Sequence, residues 1–228
     1  MCGRYYRRSD KQRVVEAFRV GVPPSFGILP SYNVAPQTYQ PVIRLNQENS
    51  AREIALMRWG LIPFWAKDAK VGYSTVNAKD ETVTTSAMFR EAIKHRRCLI
   101  PADGFYEWKP IDAKTKQPYA IGLKDGTLFA FAGLWERWTD KATRLPLETF
   151  TIITTGPNEL TAPIHDRMPV ILAPKDYERW MAPADPAQLP IDLLRPYDAD
   201  QMKAWKVGAA VGNVHNNMPD LCVESLNG

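Results

Sequence analysis

The sequence predicts an α+β fold in one domain over residues 1–228, with a curled, mostly antiparallel or mixed β-sheet, barrel-like and flanked by short helices. Three observations carry this. Runs of β-branched and aromatic residues of strand length outnumber helical patterns. Turn residues separate those runs at short intervals, which sets successive strands side by side. No Gly-x-Gly-x-x-Gly or Walker loop follows a strand, which argues against the nucleotide-cofactor folds.

Ser9 is placed to cap a first helix through Val14, Val15, Ala17 and Phe18, stopped by Gly21 and Pro23-Pro24. Ser31-Tyr32-Asn33-Val34-Ala35-Pro36 reads as a loop entering a strand, because the residue before a proline avoids helix. Residues 41–45 and 53–59 form strands around the polar turn Asn46-Gln47-Glu48-Asn49. Gly60-Leu61-Ile62-Pro63-Phe64-Trp65 is apolar but broken by Gly and Pro, so it is either a buried loop or an exposed wedge. Residues 75–79 lead into a polar segment and a helix around 88–96. Residues 98–101 read as a short buried strand. In Asp103-Gly104-Phe105-Tyr106-Glu107-Trp108-Lys109 the alternation puts Phe105 and Glu107 on one face, Tyr106 and Trp108 on the other. Residues 119–123 and 128–135 pair across Lys124-Asp125-Gly126-Thr127, where Asp-Gly is the strongest hairpin signal in the chain. A strand over 149–154, a loop over 164–169 and a strand over 170–172 follow. Pro174 then opens a short helix to Met181. The 183–206 region is Pro-rich with a weak helix, and 209–211 reads as a last strand.

Apolar content of 45% and charged content of 24% over 228 residues are those of an ordinary soluble globular protein. No apolar run reaches bilayer length and no apolar segment marks a secretory signal, so a cytoplasmic protein without a membrane partner is expected, nucleoid-associated if bacterial; the sequence does not fix the oligomeric state, and a monomer is favoured. Cys2, Cys98 and Cys222 form no Cys-x-x-Cys pair and the three histidines are scattered, so no metal site and no cofactor are expected. The net charge of +4 is mildly basic. Arg4, Arg7 and Arg8 sit beside the terminus, and Lys94-His95-Arg96-Arg97 forms a second basic run.

The chemistry begins at Met1-Cys2-Gly3-Arg4. A small second residue permits removal of the initiator Met, leaving an α-amine and a thiol on one residue. The amine, with a pKa of about 8, is partly uncharged near neutrality, and the thiolate is a stronger nucleophile still. Such a 1,2-aminothiol condenses with an aldehyde to an imine and closes to a thiazolidine. Glu107 lies between two aromatics, where lost solvation would raise its pKa into general acid/base range; an edge-strand Glu in solvent is the alternative. His165 is either a proton shuttle or a loop histidine satisfied by Asp166. Asn77 either orients a carbonyl oxygen or caps a turn.

Six motifs stand in order: Met1-Cys2-Gly3-Arg4, Tyr32-Asn33-Val34-Ala35-Pro36, Trp59-Gly60-Leu61-Ile62-Pro63, Asn77-Ala78-Lys79-Asp80-Glu81-Thr82, Gly104-Phe105-Tyr106-Glu107-Trp108-Lys109 and His165-Asp166-Arg167-Met168-Pro169-Val170. Together, from residue 2 to about Val211-Gly212-Asn213, they closely resemble the SOS-response-associated peptidase (SRAP) family. The resemblance implies a covalent sensor of abasic sites in single-stranded DNA. Cys2 would form a thiazolidine with the ring-opened sugar aldehyde and shield the strand from cleavage. It implies that Asn77 holds the thiazolidine and sugar, that Glu107 assists ring opening and imine chemistry, and that His165 steadies the sugar hydroxyl and takes part in slow reversal. Arg4, Lys79, Arg90 and Arg167 are then the phosphate candidates. Trp65, Phe89 and Trp108, with Pro36, are candidates for stacking or wedging, Phe89 being shared with core packing.

Two positions depart from the family pattern. Lys79 stands where Arg is frequent, which loses bidentate phosphate geometry, and Ala87 stands where a basic residue is common. The alternative enzyme class is the N-terminal-nucleophile glutamine amidotransferase, which also begins Met-Cys-Gly. Arg4 and the lack of an internal Asn-Gly loop argue against it. A non-covalent single-strand binder is the other alternative. The peptidase label, with its hydrolase and lyase connotations, raises the question of who removes Met1, and a general aminopeptidase is expected to suffice.

Overall fold

The computed structural model describes residues 2–23, 26–46 and 48–225; the expected removal of Met1, Pro24 of the helix stop and Gln47 of the polar turn lie outside them. Strand β1 (Tyr5–Arg7) is followed by helix α1 (Lys11–Phe18), whose cap is Asp10 and not Ser9. The Asp10 side chain accepts from the Arg13 N–H, whereas Ser9 is spent on the Asp103 carboxylate, which accepts from both its N–H and its hydroxyl at 2.9 Å. Arg19, in left-handed backbone, ends the helix ahead of Gly21. Strands β2 (Ser31–Val34), β3 (Tyr39–Leu45), β4 (Arg52–Trp59) and β5 (Asn77–Lys79) precede helix α2 (Arg90–His95). Then come β6 (Arg97–Ala102), β7 (Gly104–Pro110), β8 (Lys116–Leu123), β9 (Phe129–Thr139) and β10 (Pro146–Thr155). Strands β11 (Met168–Pro169) and β12 (Ile171–Leu172), helix α3 (Tyr177–Met181) and β13 (Met202–Lys206) complete the order.

Five strands close on themselves in the order β10-β4-β3-β6-β9 and back to β10. The seam between β4 and β10 is parallel, with Arg58 opposite Thr149 and Trp59 opposite Phe150, and the other four pairings are antiparallel. The barrel is therefore mixed, and closure leaves these strands no bare edge between them. A second, antiparallel sheet runs β13-β8-β7-β1-β2. The two are joined by an apolar cluster that includes Cys2, Tyr5, Met57, Trp59, Phe105, Phe131 and Phe150.

Three further expectations are corrected. Strands β8 and β9 do not pair across Asp125-Gly126: β8 lies between β7 and β13, while β9 joins the barrel. The turn itself forms, with Gly126 at φ +70°, but both edges of β8 are already taken. In the 183–206 region the regular element is strand β13, with short 3-10 turns before it, and residues 209–212 are a 3-10 turn instead of a strand. The 60–65 stretch proves to be both of its alternatives. Leu61 and Ile62 are buried, while Phe64 and Trp65 project with 57% and 47% of their surface exposed. Gly60 starts it at φ +117°, where a Cβ would overlap the Gly72 carbonyl.

Candidate active site

Strand β5 brings Asn77 to the start of the chain. It runs parallel to β10 with Asn77 opposite Ile152, and the Trp59 indole N–H donates to the Val76 carbonyl at 2.8 Å, fixing the residue before it. From there Asn77 Nδ2 donates to the Cys2 carbonyl at 2.9 Å, across 75 residues of sequence. Its Oδ1 is buried and has no partner among the described residues. Cys2 is itself fully buried, with Sγ 3.9 Å from the Arg4 carbonyl, the reach of a weak S–H donor. Burial first, and the Glu107 carboxylate second, push the thiol well above its ordinary range, so it is held as S–H.

Glu107 is at the middle of β7, where both strand faces are covered, and it is 4% exposed. Lost solvation pushes its carboxyl up to about 8, against partial offsets from the Trp108 N–H and Lys116. Its Oε2 is 3.9 Å from His165 Nε2. On the other side of that ring, Nδ1 accepts the Arg167 N–H at 3.1 Å while an Asp166 carboxylate oxygen stands 2.8 Å away. The two contacts require opposite protonation at Nδ1. The neutral ring accepts from Arg167 and turns Nε2–H toward Glu107, and the protonated ring pairs with Asp166. Burial lowers the His165 pKa, which favours the neutral form. The structure thus links Asn77, Cys2, Glu107 and His165 in one run of contacts and charges around the chain's second residue. Its acid is neutral enough near pH 7 to give a proton and close enough to ionisation to take one back.

The remaining predicted residues differ in how they are held. Lys79 and Arg90 are exposed, the first at the end of β5 and the second at the start of α2. Arg4 is partly buried, its Nη1 donating to Asn33 Oδ1 at 2.7 Å and to the Val211 carbonyl at 2.9 Å. Its guanidinium lies 5.8 Å from the ring of half-buried Trp108. Arg167 is clamped by Asp80, Glu81 and the Thr154 carbonyl, and this pairing holds the Glu81 carboxyl down at about 2. Pro36 is half-buried in a turn beside Gln37, which adopts φ 69°. Phe89 is 8% exposed and packs in the core cluster with Val83 and Ile93.

Much of the basic charge is spent inside the fold. Arg7 is buried on the Ser9 and Leu29 carbonyls and Arg96 pairs with Glu136, while exposed Arg8 reaches Asp103 from the surface. Among the described residues no cluster of three or more His, Cys, Asp or Glu could hold a metal, and no helix is long and apolar enough to cross a membrane. Sequence reasoning passed over Asn33 and the acidic pair Asp80 and Glu81, although all three sit inside motifs it singled out. Their partners, Arg4 and Arg167, are far away in sequence.

The sequence model of the family described as SOS response associated peptidase (SRAP) matches residues 1–214. The chain is 47% identical over 224 residues to the abasic site processing protein YoqW of Bacillus subtilis (strain 168), covering 97% of this chain and 98% of that one. It is 32% identical to the abasic site processing protein HMCES of Xenopus tropicalis, covering 86% of this chain and 66% of that one. A crystal structure of a protein from Bacteroides thetaiotaomicron superposes with a TM-score of 0.86 at 29% identity, over 99% of this chain and 100% of that one.

Proposed function

The chain belongs to the SOS response associated peptidase (SRAP) family, and from that premise we propose that it processes abasic sites in single-stranded DNA by a covalent crosslink through Cys2. With Met1 removed, the Cys2 amine attacks the aldehyde carbon of the ring-opened abasic sugar. Glu107, protonated near neutrality, gives its proton to the hydroxyl that leaves as water, and an iminium remains. The Glu107 carboxylate then takes the proton of the thiol, which burial keeps from ionising unaided, and sulfur closes on the same carbon. One C–N and one C–S bond form, one water leaves, and Glu107 ends protonated as it began. The thiazolidine removes the aldehyde whose elimination chemistry would cleave the strand.

The observation that carries this reading is the Asn77 hydrogen bond to the Cys2 carbonyl. It fixes the one residue whose nitrogen and sulfur must both reach a single carbon, and such fixation is worth several orders of magnitude in effective molarity. His165 is assigned to the opened sugar's hydroxyl and to crosslink reversal. The exposed cations Lys79 and Arg90 follow the phosphates, and exposed Trp65 offers a sequence-tolerant stacking face.

The test is the intact mass of the protein after incubation with an abasic single-stranded oligonucleotide. A gain of the oligonucleotide's mass, less one water, that survives denaturant supports the crosslink. A complex that only salt disrupts would make the protein a non-covalent binder. An unchanged mass while Met1 is absent overturns the proposal. A chain that retains Met1, or carries Cys2→Ala, should bind the strand without the adduct.

A further inference from the structure

We infer that Asn33 is a positioning residue for Cys2, acting through Arg4: it pins the Arg4 side chain to the segment over 208–217, and the Arg4 backbone in turn holds the thiol. Asn33 lies on β2 and is 5% exposed. Its Oδ1 accepts from Arg4 Nη1 at 2.7 Å. Its Nδ2 donates to the carbonyls of Val211, Asn213 and Asn216 at 3.2, 3.0 and 2.8 Å, three acceptors shared by two N–H groups. Arg4 Nη1 also reaches the Val211 carbonyl at 2.9 Å, so one peptide oxygen bridges both side chains. The same segment is tied a second time where the Tyr32 N–H donates to Asn217 Oδ1 at 2.6 Å.

The chain of contacts runs on to the reactive residue. The Arg4 carbonyl accepts the Tyr106 N–H at 2.9 Å and faces Cys2 Sγ at 3.9 Å. Fixing Arg4 at its side chain and at its carbonyl leaves the backbone of residues 2–4 little freedom. Only an amide of this length offers an acceptor to a guanidinium and donors to three carbonyls from one position. An aspartate in its place would point an oxygen at those carbonyls, and an alanine would leave them and the guanidinium unpaired in a buried site. The placement of the thiol therefore depends on contacts to residues about 180 positions away, at |i−j| of 178, 180 and 183.

This inference deepens the crosslinking reading, and its first test is independent of that reading. The full chain and its Asn33→Ala variant are treated with iodoacetamide, and the modified cysteines are mapped by mass over time. Cys98 is fully buried in the barrel and reports general opening of the fold. Cys2 should be modified at least about fivefold faster in the variant while Cys98 is unchanged. Equal Cys2 rates, or a parallel rise at Cys98, would overturn the inference. The second test is single-turnover crosslinking against the concentration of abasic oligonucleotide. The saturating rate of Asn33→Ala should fall roughly tenfold or more, with the half-saturating concentration within about threefold of the parent. A parent-like saturating rate overturns it as well. If the parent forms no adduct, the crosslinking reading fails and the alkylation result still decides on Asn33. Should circular dichroism find Asn33→Ala unfolded, Arg4→Gln cuts the same tie from its other end. Faster Cys2 alkylation with Cys98 unchanged is expected there, and a Cys2 as protected as in the parent overturns the inference.

Discussion

Glu107 has no solvated side to turn to, because Phe105 and Tyr106 beside it are fully buried. Its carboxyl therefore keeps its proton up to about 8 in the fold and would lose it near 4.5 in the unfolded chain. The folded state binds the extra proton between those values. The stability this gives is fully present below about pH 4.5 and is lost as pH rises through 8, on the order of a few kcal/mol. Glu107→Gln keeps the shape and removes the titration. Its melting temperature should gain on the parent's between pH 5 and pH 9, while its crosslinking rate falls by about 10²- to 10⁴-fold. A constant gap across that range would mean that the buried carboxyl does not titrate as described. Lys79 makes the contrasting case, since it is exposed at the end of β5. Lys79→Gln should weaken binding to any single strand and lower the slope of log affinity against log salt by about 0.7. An unchanged slope would remove Lys79 from the phosphate path.

Short elements here depend on side chains that arrive from elsewhere, and this is where the sequence is hardest to read. The basic run over residues 94–97 suggests a surface for nucleic acid, yet Arg97 is buried and donates to the carbonyls of Ile93, Lys94, Trp180 and Ala182. One guanidinium thus closes the C-terminal ends of α2 and α3 together. Arg97→Ala should cost about 3 kcal/mol and roughly 6–12 °C in melting temperature, with the salt dependence of DNA binding unchanged below the transition. A reduced salt slope would return Arg97 to the DNA surface. The same physics separates what was legible from what was not. The strands over 41–45 and 53–59, and the alternation through Glu107, are written in local patterns and are found in place. The Asp125-Gly126 turn is written locally too, but which strand takes each edge of β8 is decided by β7 and β13. Asn33 and the acids that clamp Arg167 carry no local signal of their own, because their partners come from other parts of the chain.

At the scale of the whole molecule, Ile152 is one of the points where the barrel meets the site. Ile152 of β10 is opposite Gly133 on one side, across the β9 pairing, and opposite Asn77 on the other. Gly133 is where β9 lies between β6 and β10, facing Cys98 and Ile152. A Cβ there would overlap Ile100 Cδ1 and stand 2.9 Å from the Thr151 carbonyl and 3.1 Å from Cys98 Sγ. Ile100 could shift, but the Thr151 oxygen belongs to the backbone that carries the register of β5. Gly133→Ala is therefore expected to do two things at once. Overpacking should cost about 1–3 kcal/mol and lower the melting temperature by roughly 2–12 °C. The strain should also pass along β10 to Asn77 and loosen its hold on the Cys2 carbonyl, so the crosslinking rate measured well below the transition should fall as well. A variant that melts earlier yet crosslinks at the parent rate would show that the barrel supports the site only by staying folded, and that strain at Gly133 does not reach Asn77.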